Sequence, residues 1–340
     1  MPSTVDRHSQ RIVIAGASSL LGSEVKTILE ESQFGAWDLR LVDEEVAAGT
    51  LTEAGGEATI IQRLEEDTFR GARYAFLTGS TAFGKQCLTA AKDAGVRVID
   101  FTHASLADPD AAPWFPRLES LSGRRLDKKS TVFSVCSAAG TAVAMLAMSL
   151  RNVGLRSLVA LLFEPVSEAG REGIEELEMQ TSQLLSFQNV GSPVFGTQAA
   201  FNLLPCYGEE SRRNLHANLL KIRAEVSGVL GDPAEDRKLA VNLVHAPVFY
   251  GMTFSAYVDV PEETEHAAMI DACKDAGFSL VPAKEPAPSN VSVAGETSVF
   301  LQAPVADSAR SGGWWFWGAA DNLRLPAWSG CKLAEWLEEE

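Results

Sequence analysis

Cys136 is the residue of this chain best placed for covalent chemistry. Thr131-Val-Phe-Ser-Val135 reads as a buried strand and Ala138 to Arg151 as an apolar helix, so the cysteine stands at a strand-to-helix turn. The positive end of a helix dipole favours the thiolate, the form of cysteine that attacks carbon. The same turn suits a small buried residue, and cysteine is among the most buried types. Position alone leaves both readings open. A second candidate locus lies near the start of the chain. Arg11-Ile-Val-Ile-Ala15 is a β-branched run that enters Gly16, Ser18, Ser19, Leu20 and Gly22 and then a helix to about Ser32. Strand, glycine turn and helix is the opening of a dinucleotide fold, where pyrophosphate meets the helix N-terminus. Ser19 occupies the place of the middle glycine of that fingerprint, which limits how freely backbone can approach phosphate. Leu39-Arg-Leu-Val42 reads as the next strand and ends in Asp43. An acid there either accepts from a ribose 2′-hydroxyl and repels a 2′-phosphate, or lies in a solvated loop. Gly79 ends a further strand, Tyr74 to Thr78, at the edge where such sheets hold ligands.

These residues need a frame. Strands at Tyr74–Thr78 and Val96–Asp100, with a helix from about Phe83 to Ala94 between them, continue a β-α-β alternation. That alternation predicts an α/β fold with a Rossmann-type doubly wound parallel sheet. Asp108 to Lys129 reads as polar and loop-rich, a lid or a connection. After the Cys136 helix the pattern changes to a mixed α+β domain: a strand at Ser157–Phe163 and a long helix at Arg171–Phe187. Two long neighbouring strands follow, Lys238–Val248 and Thr253–Val260, then a helix from Pro261 to about Ala276. An aromatic strand at Gly313–Gly318 and a closing helix at Leu325–Glu339 complete the chain. The expected division is a dinucleotide-binding domain over 1–135, with helix 325–339 packed back on it, and a substrate and dimerisation domain over 136–318.

Composition narrows the function. The chain has 340 residues, 46% hydrophobic and 22% charged, with a formal net charge of −16. That charge argues against a nucleic-acid or anionic-membrane surface. It also requires a local basic pocket for any anionic substrate. The five cysteines are widely spaced without a CxxC pair, and the histidines show no HxxxH or HExxH spacing, so neither a disulfide framework nor a metal site is indicated. The N-terminal stretch is polar and no apolar run is long enough to span a bilayer; a reducing cytoplasm is the expected location.

In order, the pieces resemble the aspartate-semialdehyde dehydrogenase family over about residues 11–338. The resemblance rests on the loop from Gly16 to Gly22, on Val98-Ile-Asp100, on Cys136-Ser137, and on Ser167-Glu-Ala-Gly170 with the helix after it. Phe201-Asn-Leu-Leu-Pro205, Pro247-Val248 with Gly251, and Asp321-Asn-Leu-Arg324 add to it. The resemblance implies a homodimer formed through the second domain. It implies reduction of an acyl phosphate to a semialdehyde through a thioester on Cys136, with NAD or NADP as hydride donor. It also implies cofactor contacts at Gly16, Ser18, Ser19, Leu20, Gly22, Asp43, Gly79 and Asn322. Several site positions depart from the family pattern. Met252 stands in place of the catalytic histidine, and a thioether cannot move a proton. His245 stands in place of the arginine that forks onto the substrate carboxylate. Asn218 replaces a glutamate, Glu164 a glutamine, Val135 an asparagine and Phe101 the asparagine next to Asp100, while Leu106 falls where a phosphate-binding arginine is expected. Lys221 is retained.

Three readings follow. The first is a divergent paralogue that keeps the fold and the dimer and has lost aspartyl-phosphate reduction. The second is a cysteine-dependent aldehyde or acyl oxidoreductase with a less charged substrate, in which His245 replaces the missing base. The third is a dinucleotide-sensing interaction module. The acid at Asp43 favours NAD over NADP, with weak or absent binding in view of Ser19. The small-molecule ligand is left open.

Overall fold

A computed structural model of the chain describes residues 10–45, 47–54 and 56–339. The polar stretch 1–9, expected to carry no secretory signal, lies outside them. The chain divides into two compact units. The first holds the chain up to Pro116, then Arg125–Cys136 and the part from Pro326 onward; the second holds Arg117–Arg124 and Ser137–Leu325.

The first unit is the parallel, doubly wound sheet. Its elements are β1 (Arg11–Ala15), α1 (Leu20–Glu31), β2 (Asp38–Asp43), β3 (Leu51–Ala54), β4 (Glu57–Ile60), β5 (Gln62–Arg63), β6 (Tyr74–Leu77), α2 (Thr81–Asp93), β7 (Arg97–Asp100), β8 (Ala111–Trp114) and β9 (Val132–Val135). The sheet runs β5-β2-β1-β6-β7-β9-β8, and its pairings are parallel throughout. Central strands of such a sheet are covered on both faces, which is why β1, β6 and β9 are near-continuous apolar runs. One face is sealed by Val25, Ile28 and Leu29 of α1 and by Ala327, Cys331, Leu333, Ala334 and Leu337 of the C-terminal helix, Arg324–Glu338. The other is sealed by Phe83, Cys87, Leu88 and Ala91 of α2. The strand order reverses between β1 and β6, the switch point where open α/β sheets bind ligands. Gly16 and Gly79 follow these two strands and pack backbone to backbone. Gly16 has φ +93°, and a Cβ on it would lie 2.1 Å from the Gly79 nitrogen.

The connection 108–129 differs from its expected loop. It contains β8, an edge strand interrupted by Pro113, and a short helix, α3 (Leu118–Ser122), that belongs to the second unit. Proline is tolerated at a sheet edge, where it breaks the alternation by which strands are recognised. The β3–β4 hairpin is a second element that the strand pattern did not indicate.

The second unit continues with α4 (Ala138–Ser149), β10 (Ser157–Glu164), α5 (Arg171–Leu185), α6 (Leu215–Leu230), α7 (Pro233–Asp236), β11 (Leu239–His245), β12 (Met252–Asp259), α8 (His266–Ala276), β13 (Ser279–Val281), β14 (Phe300–Gln302), β15 (Val305–Ala306) and β16 (Gly313–Ala320). Its sheet is mixed, in the order β11-β10-β12-β16-β14-β13, with β15 paired to β16. The two long strands expected to be neighbours, β11 and β12, are separated by β10, which pairs parallel with β11 and antiparallel with β12. The helix expected from Pro261 starts at His266, after a turn in which Thr264 N–H bonds the Pro261 carbonyl. Every residue of α4 is buried, so its sequence is apolar all round. Helices α4, α6 and α8 cover one face of the mixed sheet. Along β12, buried and half-buried residues alternate, the period-2 signature of a sheet with a second, open face.

Candidate functional site

The dinucleotide locus in the first unit is built from capping interactions. Ser19 is the N-cap of α1: its hydroxyl accepts from Gly22 N–H at 2.8 Å and donates to the Thr78 carbonyl at 2.9 Å. Its backbone is extended, with φ −66°, so a glycine is not required there. Leu20 opens the helix. Gly22 is needed for close packing, because a Cβ on it would lie 2.3 Å from the Gly16 carbonyl oxygen. Asp43 is buried at the end of β2. Its carboxylate accepts from Ser18 N–H at 2.7 Å and from Glu44 N–H at 2.8 Å. Ser80, which caps α2, donates to Glu44 at 2.6 Å. The field of these two acids reaches α2: the Cys87 thiol is pushed up to about 12, chiefly by burial and then by Asp43 and Glu44. Asp100 is committed to its own loop, accepting from the N–H and hydroxyl groups of both Thr102 and Ser105 at 2.6–2.8 Å. Phe101 joins the core of the unit, stacked on Phe76.

Cys136 is 2% exposed and is the last residue of the first unit. Its own N–H donates to the Trp114 carbonyl at 2.9 Å. The next N–H, on Ser137, donates to Glu225 Oε1 at 3.0 Å, and the Ser137 hydroxyl donates to Glu225 Oε2 at 2.6 Å. The Ser137 hydroxyl also accepts from Gly140 N–H at 3.0 Å, capping α4. The helix N-terminus expected to favour a thiolate is therefore already matched to a carboxylate, that of Glu225 on α6.

The second unit gathers the remaining site residues at one end of the mixed sheet. Glu164 ends β10, His245 ends β11 in register with it, and Met252 begins β12. Asn218 Nδ2 donates to the Glu164 carboxyl at 3.1 Å. Burial and the charge of Glu168 push Glu164 up to about 8, against the opposing pull of Asn218, Tyr207 and Lys221. Burial and the Glu168 charge both favour the neutral acid form of Glu164. The Tyr207 hydroxyl shares a hydrogen bond with it and lies 3.3 Å from His245 Nδ1. His245 is wholly buried between Phe195 and Tyr207, with ring centroids at 5.3 and 5.5 Å. Burial pulls it down to about 4, and the Ala199 carbonyl offsets a little of that. Its Nε2 is sealed from solvent without a well-formed hydrogen bond. A neutral imidazole here cannot hold a carboxylate. Met252 is buried and brings no polar group.

Asn322 belongs to a separate cluster. Its Nδ2 donates to Glu168 at 2.8 Å and to the Ser167 hydroxyl at 3.0 Å, and its Oδ1 accepts from Gly251 N–H at 2.9 Å. The amide expected to meet cofactor is therefore engaged within the chain. The structure brings Glu164, Asn218 and His245 into one hydrogen-bonded chain, with Lys221 acting on Glu164 through its charge. Tyr207, the centre of that chain, and Glu225, the cap beside Cys136, were missed. Both lie far in sequence from their partners, 38 residues for Tyr207 and His245 and 88 for Glu225 and Ser137. Among the described residues no group of His, Cys, Asp and Glu is placed to hold a metal ion.

A parallel dinucleotide-type sheet and a mixed-sheet unit, with a cysteine at the end of the former, define a two-unit α/β protein of dehydrogenase-like architecture. The model of the semialdehyde dehydrogenase dimerisation domain matches residues 148–325. The chain belongs to the semialdehyde dehydrogenase family. It is similar to a USG-1 protein homolog of Azotobacter vinelandii, 30% identical over 79% of this chain and 80% of that protein. It is also similar to the aspartate-semialdehyde dehydrogenase of Aquifex aeolicus, 27% identical over 97% and 98% of the two chains. The structure of a probable aspartate-semialdehyde dehydrogenase from Pseudomonas aeruginosa superimposes with a TM-score of 0.84, covering 97% and 98% of the chains at 24% identity. That of the Candida albicans enzyme with NADP superimposes with a TM-score of 0.67 at 12% identity, covering 96% and 98%. Among the described residues no helix is long and apolar enough to cross a membrane.

Proposed function

We propose that this chain is a dimeric member of the semialdehyde dehydrogenase family that retains a dinucleotide locus and lacks aspartyl-phosphate reductase activity. One observation carries the reading. At the end of the mixed sheet the family's base is a buried thioether, Met252, and its carboxylate-holding arginine is a buried neutral imidazole, His245. Neither end of a charged substrate is served. The test is an assay of the purified chain with aspartate semialdehyde, inorganic phosphate and NAD or NADP; turnover at family-like rates would overturn the reading. A cysteine-dependent enzyme with a less charged substrate is the second reading. It is favoured by Glu164, whose displacement to about 8 suits a general acid or base. His245, the base expected for it, is sealed in the core.

The Candida enzyme was solved with NADP. In this chain β2 ends in Asp43 and Glu44 follows it, so binding of NAD is expected to be weak and that of NADP weaker. Calorimetry should show NAD the tighter ligand; a tighter NADP isotherm would count against the assignment of Asp43 to the ribose. The proposed setting is the cytoplasm, without nucleic-acid or membrane partners.

The dimer is assigned to the open face of the mixed sheet. Ala240, Val159, Tyr257, Trp315 and Val305 form one in-register row across five strands. Val159 is 50% exposed, Trp315 47% and Val305 58%. An apolar row of this kind on a sheet face marks an association surface. Light scattering should report a dimer for the unaltered chain and a monomer for the double variant Val159→Glu, Trp315→Glu. A monomeric unaltered chain would remove the assignment.

A further inference from the structure

We infer that Glu225 is a positioning residue that holds Cys136 in a guarded, weakly nucleophilic state. The inference rests on the non-catalytic reading and deepens it at the cysteine itself. Glu225 is 3% exposed, and each of its two oxygens accepts from Ser137: one from the N–H of the peptide that Cys136 and Ser137 share, the other from the Ser137 hydroxyl. Gly140 makes the room for it, since a Cβ there would lie 2.2 Å from Glu225 Oε2. The arrangement acts on Cys136 in two ways. It places a carboxylate against the helix turn that begins at the next residue, where a second negative charge is disfavoured. It also occupies a backbone donor. With Cys136 N–H bonded to the Trp114 carbonyl and Ser137 N–H bonded to Glu225, both amides flanking the sulfur are engaged. Neither is left to steady a thiolate or the oxyanion of a thioester-forming step. Lys221 stands one turn before Glu225 on α6 and Arg223 two residues before it; these are the charged groups of that segment.

The test reads the thiol directly. Iodoacetamide alkylates the thiolate: a C–S bond forms, the C–I bond breaks, iodide leaves, and the thiol proton has already gone to solvent. The Cys136 peptide is followed by mass spectrometry against pH, with the exposed Cys206 in the same sample as reference. In the unaltered chain the Cys136 midpoint should lie above that of Cys206; a midpoint at or below it overturns the inference. In Glu225→Gln, burial of the thiol is kept and the charge removed. The midpoint should fall by about one unit and the rate at pH 7 rise about tenfold. A rate that is unchanged or slower in a folded Glu225→Gln chain overturns it, the slower case making Glu225 a proton acceptor for the thiol. The measurement on the unaltered chain stands if the variant does not fold. Absent turnover with an unmoved midpoint leaves the non-catalytic reading standing and removes this one; family-like turnover removes the former.

Discussion

Restoring the missing base by Met252→His should not restore aspartyl-phosphate chemistry. The unaltered chain is expected to show no turnover above background, and the variant to remain at least about 10⁴-fold below a family-like rate. A general base is worth on the order of 10²–10⁴ in rate. Adding one to a competent site would recover most of a family-like rate, so the prediction depends on what else is absent. A negatively charged substrate would meet the charge of Glu168, which already disfavours ionisation of Glu164, and the group that should fork onto its carboxylate is His245, buried and pulled down to about 4. Removal of a single oxyanion donor costs about 10²–10³, and here both N–H groups flanking Cys136 are bonded elsewhere. These deficits act on substrate holding and on transition-state charge, which a new imidazole at residue 252 does not touch. A steady-state assay with NAD and with NADP checks it. Family-like turnover in Met252→His would show that loss of the base was the whole lesion.

The fold was largely legible because its central strands are short apolar runs with few alternative fates. Arg11–Ala15, Tyr74–Leu77 and Val132–Val135 are buried on both faces, and each is followed by a small or polar residue that starts a helix or loop. What the local pattern could not carry was pairing over distance. The place of β10 between β11 and β12 is a non-local choice. The β8 edge is hidden by Pro113, and the β3–β4 hairpin is four residues to a strand. The site divides in the same way. Replacements at fixed spacing, such as Met252 and Asn218, were readable one by one. Their consequences were not, because these depend on partners brought in from elsewhere. His245 looked like a replacement base on the right strand; Phe195 and Tyr207 turn it into a core residue. Cys136 looked favoured by a helix dipole, and the Glu225 carboxylate meets the same helix N-terminus.

Glu164 should make this protein less stable as pH rises from 6.5 to 8, and Glu164→Gln should abolish that slope. The folded-state value is raised to about 8 from an ordinary 4.5, so the folded chain keeps a proton that the unfolded chain releases. A raised group contributes stability that is fully present below the unfolded value and is lost as pH climbs through the folded one. His245 works in the opposite sense. Its folded value is about 4 against an ordinary 6.5, so its contribution is present above 6.5 and lost as pH falls toward 4. Between 4.5 and 6.5 the two slopes oppose each other, with Glu176, also raised by burial, adding to the Glu164 sense. At 6.5 the unfolded His245 is still half protonated, so its contribution is complete only about one unit higher and returns a few tenths of a kcal/mol; the raised thiols and Tyr207 do not titrate until the alkaline range. Glu164 therefore dominates the window from 6.5 to 8. With Glu164 half ionised in the folded chain at the upper end, the unaltered chain should lose about 1 kcal/mol across it. Denaturant melts at half-unit intervals give the profile. Glutamine keeps a carbonyl acceptor for Asn218 Nδ2 and cannot ionise, so the variant should show no fall from 6.5 to 8, only the small rise due to His245, and should weaken below 6.5 as His245 takes up its proton in the unfolded chain. An unaltered chain as stable at pH 8 as at 6.5 would mean that Glu164 is already ionised, held by Lys221 and Asn218, and that the chain from Asn218 to His245 carries a charge where a neutral acid is assigned.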